Sequence, residues 1–172
     1  MKSILLFIAV SAITIVASGQ DDDKSKRPSP PAKVSGSTKD GAMITIDYSQ
    51  PSVKGRTIGK DLEPLPGKVW RTGANEATVF EVNKDVKVEG HALPAGKYGL
   101  FTIADGKDWT IIFNKTWKQW GAFTYKEADD VFRFNVKADK KSSFAEKMKF
   151  DVDKEGKVTL LWGNEKVDFK VK

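Results

Sequence analysis

Lys147-Met148-Lys149-Phe150-Asp151-Val152-Asp153-Lys154-Glu155-Gly156-Lys157-Val158-Thr159-Leu160-Leu161-Trp162 decides the fold class. Met148, Phe150 and Val152 alternate with Lys149 and Asp151, and Val158, Leu160 and Trp162 form a second apolar set. Successive side chains of a strand point to opposite faces, so each run has one face for a core and one for water. Glu155-Gly156 stands between them as a turn signal, because glycine enters positive φ without steric cost. The stretch predicts two antiparallel strands.

The same period of two recurs outward along the chain. Ile44, Ile46 and Tyr48 alternate with Thr45 and Asp47; Phe80 and Val82 bracket Glu81; Val86 and Val88 flank Lys87. Phe132, Phe134 and Val136 form another set, as do Val167, Phe169 and Val171. Residues 98–103 and 109–113 are apolar on both parities, which predicts central strands covered on both faces. Turn signals lie at Asp40-Gly41, Glu89-Gly90, Pro94-Ala95-Gly96, Asp105-Gly106 and Gly163-Asn164. The last predicts a hairpin between the final two strands. Ser143-Phe144-Ala145-Glu146 matches a helix capping box, with room for one turn before the next strand. The expectation is an all-β protein, an antiparallel β-sandwich or partly closed barrel of about ten short strands.

The N-terminus reads as an export signal. Lys2 is a basic start, residues 4–16 are apolar, and Ala17-Ser18-Gly19 offers small residues for cleavage. The apolar run is shorter than the roughly 20 residues of a spanning helix, so no membrane span is expected after cleavage. The predicted organisation is a signal peptide over 1–19, a flexible Pro-rich lead-in over 20–32, and one β domain over 33–172. The chain has no cysteine, so an exported domain must rest on its own core, which suits a periplasm or extracellular space. Loss of Lys2 lowers the net charge from +6 to +5. The excess lysines alternate along strands and read as a wet sheet face. Nucleic acid is not an expected partner of an exported chain.

The densest functional-group chemistry lies in Trp70-Arg71-Thr72-Gly73-Ala74-Asn75-Glu76-Ala77-Thr78. Arg71 suits bidentate capture of a carboxylate or phosphate, Asn75 can orient a ligand, and Glu76 can accept a proton. Arg56, in Lys54-Gly55-Arg56, supplies a second cation if the loops converge. The competing reading is structural: Arg71 or Arg56 pairs with Glu76 in a buried network that pins a long loop, and this reading is preferred. On it, Arg71→Ala would strand a charge and cost about 3–5 kcal/mol. Residues 115–125 bring Trp117, Trp120 and Tyr125 together as a platform for sugar rings. The alternative, again preferred, is a flap closing one end of the sandwich with its tryptophans in the core.

His91 is the only histidine, and with no cysteine it builds neither a zinc site nor a serine triad, as no Gly-x-Ser-x-Gly elbow exists. It reads as a surface turn residue. No phosphate-cradling loop or calcium loop is present, so no metal or cofactor is expected.

Arg27-Pro28-Ser29-Pro30-Pro31-Ala32, Tyr48-Ser49-Gln50-Pro51, Lys54-Gly55-Arg56, Val69 with the 70–78 stretch, Leu93-Pro94-Ala95-Gly96-Lys97-Tyr98 and Phe113-Asn114-Lys115 occur in this order. In these motifs the chain resembles the DUF2911 family. The resemblance implies an exported protein of bacterial, largely Bacteroidetes, origin, and it assigns no activity or functional residue. The leading expectation is a non-catalytic binding or envelope-associated module for a glycan or an anionic small molecule. Its cleft would be built by Arg56, Trp70, Arg71, Asn75 and Glu76 and walled by Trp117 and Trp120. The alternative is a glycan-directed hydrolase using Glu76 and a second carboxylate, with Asp47 the nearest candidate.

Overall fold

The computed structural model describes residues 23–172. The signal peptide read at 1–19 lies outside the described residues. Among the described residues eleven strands run β1 (Pro31–Ser37), β2 (Met43–Ser49), β3 (Val69–Trp70), β4 (Thr78–Val82), β5 (Val86–Val88), β6 (His91–Leu93), β7 (Gly96–Asp105), β8 (Asp108–Asn114), β9 (Asp130–Lys137), β10 (Asp139–Val152) and β11 (Lys157–Lys170). Among the described residues all ladders between these strands are antiparallel, and none closes into a barrel. The principal sheet has the order β1-β2-β4-β7-β8-β9, with β3 also on β7. The long β10–β11 hairpin faces it as a second layer. β5–β6 joins the end of that layer, where Lys87 and Lys172 exchange backbone hydrogen bonds. Among the described residues no helix is long and apolar enough to cross a membrane.

The core follows the alternation. Ile44, Ile46, Phe80 and Phe113 from the principal sheet meet Phe150, Leu160, Trp162 and Phe169 from the hairpin, all at most 3% exposed. The central strands are covered on both faces, as their two apolar parities require. Phe101 and Ile112 point away from the main core into a second cluster with Ala77, covered by Val69, Ala122 and Tyr125. Burying both faces favours this strand order over one that exposes β7 or β8.

Two expectations are corrected. Gly163-Asn164 is not a hairpin turn: both apolar runs belong to the single strand β11. Gly163, at φ +59°, pairs with Ala145 at a register irregularity. Across this irregularity, whose extra residues lie on β10, the inward side chains of β11 change parity from 158, 160 and 162 to 167 and 169, a change a regular ladder does not make. The capping-box residues 143–146 lie in β10, not in a helical turn. The lead-in is also more structured than a tether. Residues 24–26 form a 3₁₀ turn capped by Asp23, and β1 begins at Pro31, inside the expected 20–32 segment.

Candidate functional site

β3 and β4 are successive parts of one ladder against β7: Val69 and Trp70 oppose Ile103 and Thr102, and Thr78 opposes Leu100. The chain leaves the sheet between them and returns, with its neck closed by Thr78 N–H donating to the Arg71 carbonyl at 3.1 Å. The polar stretch is this excursion. Its buried partners lie within the stretch itself and on β7. The Trp70 indole N–H donates to the Gly73 carbonyl at 3.0 Å, and the Thr78 hydroxyl donates to the Thr72 carbonyl at 2.8 Å. The Thr72 hydroxyl bonds the Trp70 carbonyl and Thr102.

That network holds an unfavourable backbone. Thr72 and Asn75 sit at φ +53° and +57°. A β-branched residue there costs about 1–3 kcal/mol and persists only where its surroundings determine it. Gly73 is required for close approach: a Cβ would stand 2.9 Å from the Thr78 hydroxyl and 3.1 Å from the Ser49 carbonyl. The consequence is a pinned backbone at the neck of the excursion, which sets the direction in which the Arg71 side chain leaves it.

Arg56, Trp70, Arg71 and Asn75 line one cleft of about 260 Å³, completed by Ser29, Pro51, Leu62, Glu63 and Trp162. Arg56 is braced by its own loop, donating from Nε to the Val53 carbonyl at 3.0 Å and from Nη2 to the Ser52 carbonyl at 2.6 Å. The Arg71 side chain makes no hydrogen bond or ion pair among the described residues, and its Nε is buried without a partner. Burial pulls the Arg71 guanidinium below its ordinary value, and the nearby charge of Glu63 offsets part of this; an arginine stays charged through such a shift. Asn75 is tied through its amide to the Ser29 carbonyl at 2.9 Å. The cleft therefore holds two guanidinium groups against one carboxylate.

The expected pairing of Glu76 with Arg71 or Arg56 does not occur. Glu76 accepts a two-oxygen contact from Arg27 at 3.0 and 3.1 Å and pairs with Lys24 at 3.0 Å. The physical reason is placement: the folded-back lead-in brings its own cations to Glu76. Glu76 lies outside the cleft, lining a shallow hollow with Asp47 and Lys24; Asp47 itself pairs with Lys33. Burial pushes the Glu76 carboxyl up, but a backbone hydrogen bond and the Lys24 and Arg27 cations outweigh it and hold it below its ordinary value. A carboxylate with a depressed native pKa stabilises above its unfolded pKa and loses that contribution as pH falls through the native one. Acid titration followed by the amide resonances of residues 24–27 should release the lead-in with a midpoint below the ordinary glutamate range, and Glu76→Gln should leave it released at neutral pH. A midpoint at the ordinary value would contradict this tie.

Trp117 and Trp120 do not wall the cleft, nor do they enter the core. Trp120 is 55% exposed, lies under the Arg27 guanidinium at 5.7 Å, and its backbone bridges that of Glu76. Trp117 is half-buried under Lys97. The loop covers β7 and β8 with Ala122 and Tyr125 instead. Tyr125 is anchored by its hydroxyl to Asp130, at 2.9 and 3.0 Å, and Asp130 also holds Arg133 and Asn114. His91 is exposed and stacks on Phe132. Leu62, Glu63 and Trp162 were not legible as cleft residues: Trp162 reads as one more inward strand position, and the 50–68 loop carries no periodic signal.

The sequence matches, over residues 29–171, the model of a family described as "Protein of unknown function (DUF2911)". No curated protein and no solved structure matches the chain.

Proposed function

The chain belongs to the DUF2911 family, whose description names no activity, and we propose from its own geometry that it is an exported, non-catalytic module binding a small anionic ligand between Arg56 and Arg71. The observation that carries this reading is the pair of guanidinium groups from separate loops on one cleft, with the Arg71 Nε buried and unpartnered among the described residues. A buried donor left without an acceptor costs about 1–3 kcal/mol, and an anion in the cleft would supply the acceptor. The strained, heavily cross-bonded excursion that aims Arg71 is the kind of preorganisation a binding site uses. The export signal read at 1–19 supports the compartment, and an intact mass beginning near Gln20 would test it.

The hydrolase reading has less support. A glycosidase acid needs a raised carboxyl pKa beside a second carboxylate. Glu76 is instead held down by a backbone hydrogen bond and by Lys24 and Arg27, and among the described residues Glu63 is the single carboxylate lining the cleft.

The test uses two natural reporters, the indole N–H groups of Trp70 and Trp162, which both line the cleft. Titration with inorganic phosphate should shift these two indole resonances and leave those of Trp117 and Trp120 in place. Arg71→Ala should weaken the response by roughly 10- to 150-fold, the equivalent of about 1.5–3 kcal/mol for a charged hydrogen bond. Its folding stability should fall by no more than about 0.5–1 kcal/mol, because no buried ion pair is broken and an unpartnered donor is removed. An unchanged response in Arg71→Ala, or none in the native protein, would remove the proposal.

A further inference from the structure

A second chamber of about 340 Å³ adjoins the cleft, and Arg56 and Trp162 line both. Its character is different. Val53, Ile58 and Phe144 contribute apolar surface beside Trp162. Phe144 is 51% exposed although it is a large apolar side chain. The glycine at the register irregularity shapes this chamber: a Cβ on Gly163 would stand 2.6 Å from the Ile58 Cδ1, so the glycine lets Ile58 close on the strand. Asn164 and Glu165 also border the chamber. The Glu165 charge disfavours an anion there, so an anionic group is directed to the Arg71 side.

We infer that the joined chambers take a single-chain amphiphile, with its anionic head between Arg71 and Arg56 and its alkyl chain on Ile58, Phe144 and Trp162. This rests on the anion-binding reading and adds the ligand class to it. Two volumes of this size together fall in the roughly 300–1,000 Å³ range of small-molecule sites. The arrangement follows their division of labour: an apolar wall supplies affinity and few polar groups fix orientation. Arg56, on the boundary, can meet the head with its guanidinium while its methylene stem lies along the chain, as long cationic side chains do.

The experiment titrates the native protein with acetate, butyrate, octanoate and octanol below their aggregation limits, reading the Trp162 indole and the Gly163 amide. Affinity should rise roughly three- to fourfold per added methylene, the fold-change that corresponds to about 0.8 kcal/mol per buried methylene. Octanol should bind more weakly than octanoate, and Arg71→Ala should erase that difference. Phe144→Ser should flatten the rise with chain length, and Ile58→Ser serves as a second variant if the first is poorly folded. Acetate and octanoate binding equally would overturn the chain inference and leave the anion site standing. Octanol binding as tightly as octanoate, in both the native protein and Arg71→Ala, would overturn the anion site itself. Absence of any response to all four would overturn both.

Discussion

Phe113→Ala should lower folding stability by about 3–5 kcal/mol, the cost of removing a fully buried aromatic ring and leaving a cavity. Phe113 is 0% exposed on the central strand β8. Its ring centroid lies 5.0 Å from Phe80 on β4, 5.1 Å from Phe132 on β9 and 6.1 Å from Phe169 on β11. These contacts cross from the principal sheet to the hairpin layer, so one truncation loosens both layers at once. The surrounding rings come from three different strands and cannot close the gap without moving backbone. Phe123→Ala is the control, because its ring is 85% exposed on the 115–125 loop, and it should stay within about 0.5 kcal/mol. Urea denaturation of the two variants compares them directly. A loss below about 1 kcal/mol for Phe113→Ala would mean that the core collapses around the gap and that the two layers are not locked at this ring.

Phe113 also illustrates what the sequence carries. Alternation reports which side chains share a face, and residues 109–113, apolar on both parities, mark β8 as an inner strand before any partner is known. Turn residues place five of the reversals because positive φ is a local demand: Gly41, Gly90, Gly96, Gly106 and Gly156 all adopt it. Gly163 adopts it too, yet bends a strand instead of ending one. The signal that separates the cases is parity: inward positions 158, 160 and 162 give way to 167 and 169, and an odd offset inside one strand demands an irregularity in the ladder, here with the extra residues on β10. A turn and a bulge use the same residue, so composition alone does not separate them.

The site was legible in its loop and not in its pairing. Arg56, Trp70, Arg71 and Asn75 share the cleft, a convergence the density of polar groups suggested. Glu76 went elsewhere because Arg27, 49 residues earlier, reaches it from the lead-in. Proline-rich composition describes a stiff, extended chain, but it does not say whether that chain folds back. Trp162 and the 50–68 loop complete the cleft through tertiary contact alone. The indole N–H of Trp162 donates to the Glu63 carbonyl at 2.8 Å across 99 residues of sequence. Nothing local to either residue encodes that contact.

Trp70 is where core and cleft meet, and its truncation should produce the second large effect. The side chain is 1% exposed and packs edge-on against Trp109 at 6.5 Å. Trp70→Ala should cost about 3–5 kcal/mol for the lost packing and cavity. That loss alone would not speak to the site, so Trp70→Phe separates the roles. Phenylalanine keeps most of the buried surface but leaves the Gly73 carbonyl without its donor, a cost of about 1–3 kcal/mol for a buried acceptor. The Gly73 carbonyl belongs to the excursion that carries Arg71, directly after left-handed Thr72. Without the indole tie, that strained backbone has fewer restraints, and Arg71 loses its fixed direction. Phosphate affinity of Trp70→Phe, read at the Trp162 indole, should therefore fall while circular dichroism still shows the native β fold. Full affinity in a folded Trp70→Phe would mean that Thr72, Thr78 and Thr102 hold Arg71 in place by themselves, and that the indole serves the core alone.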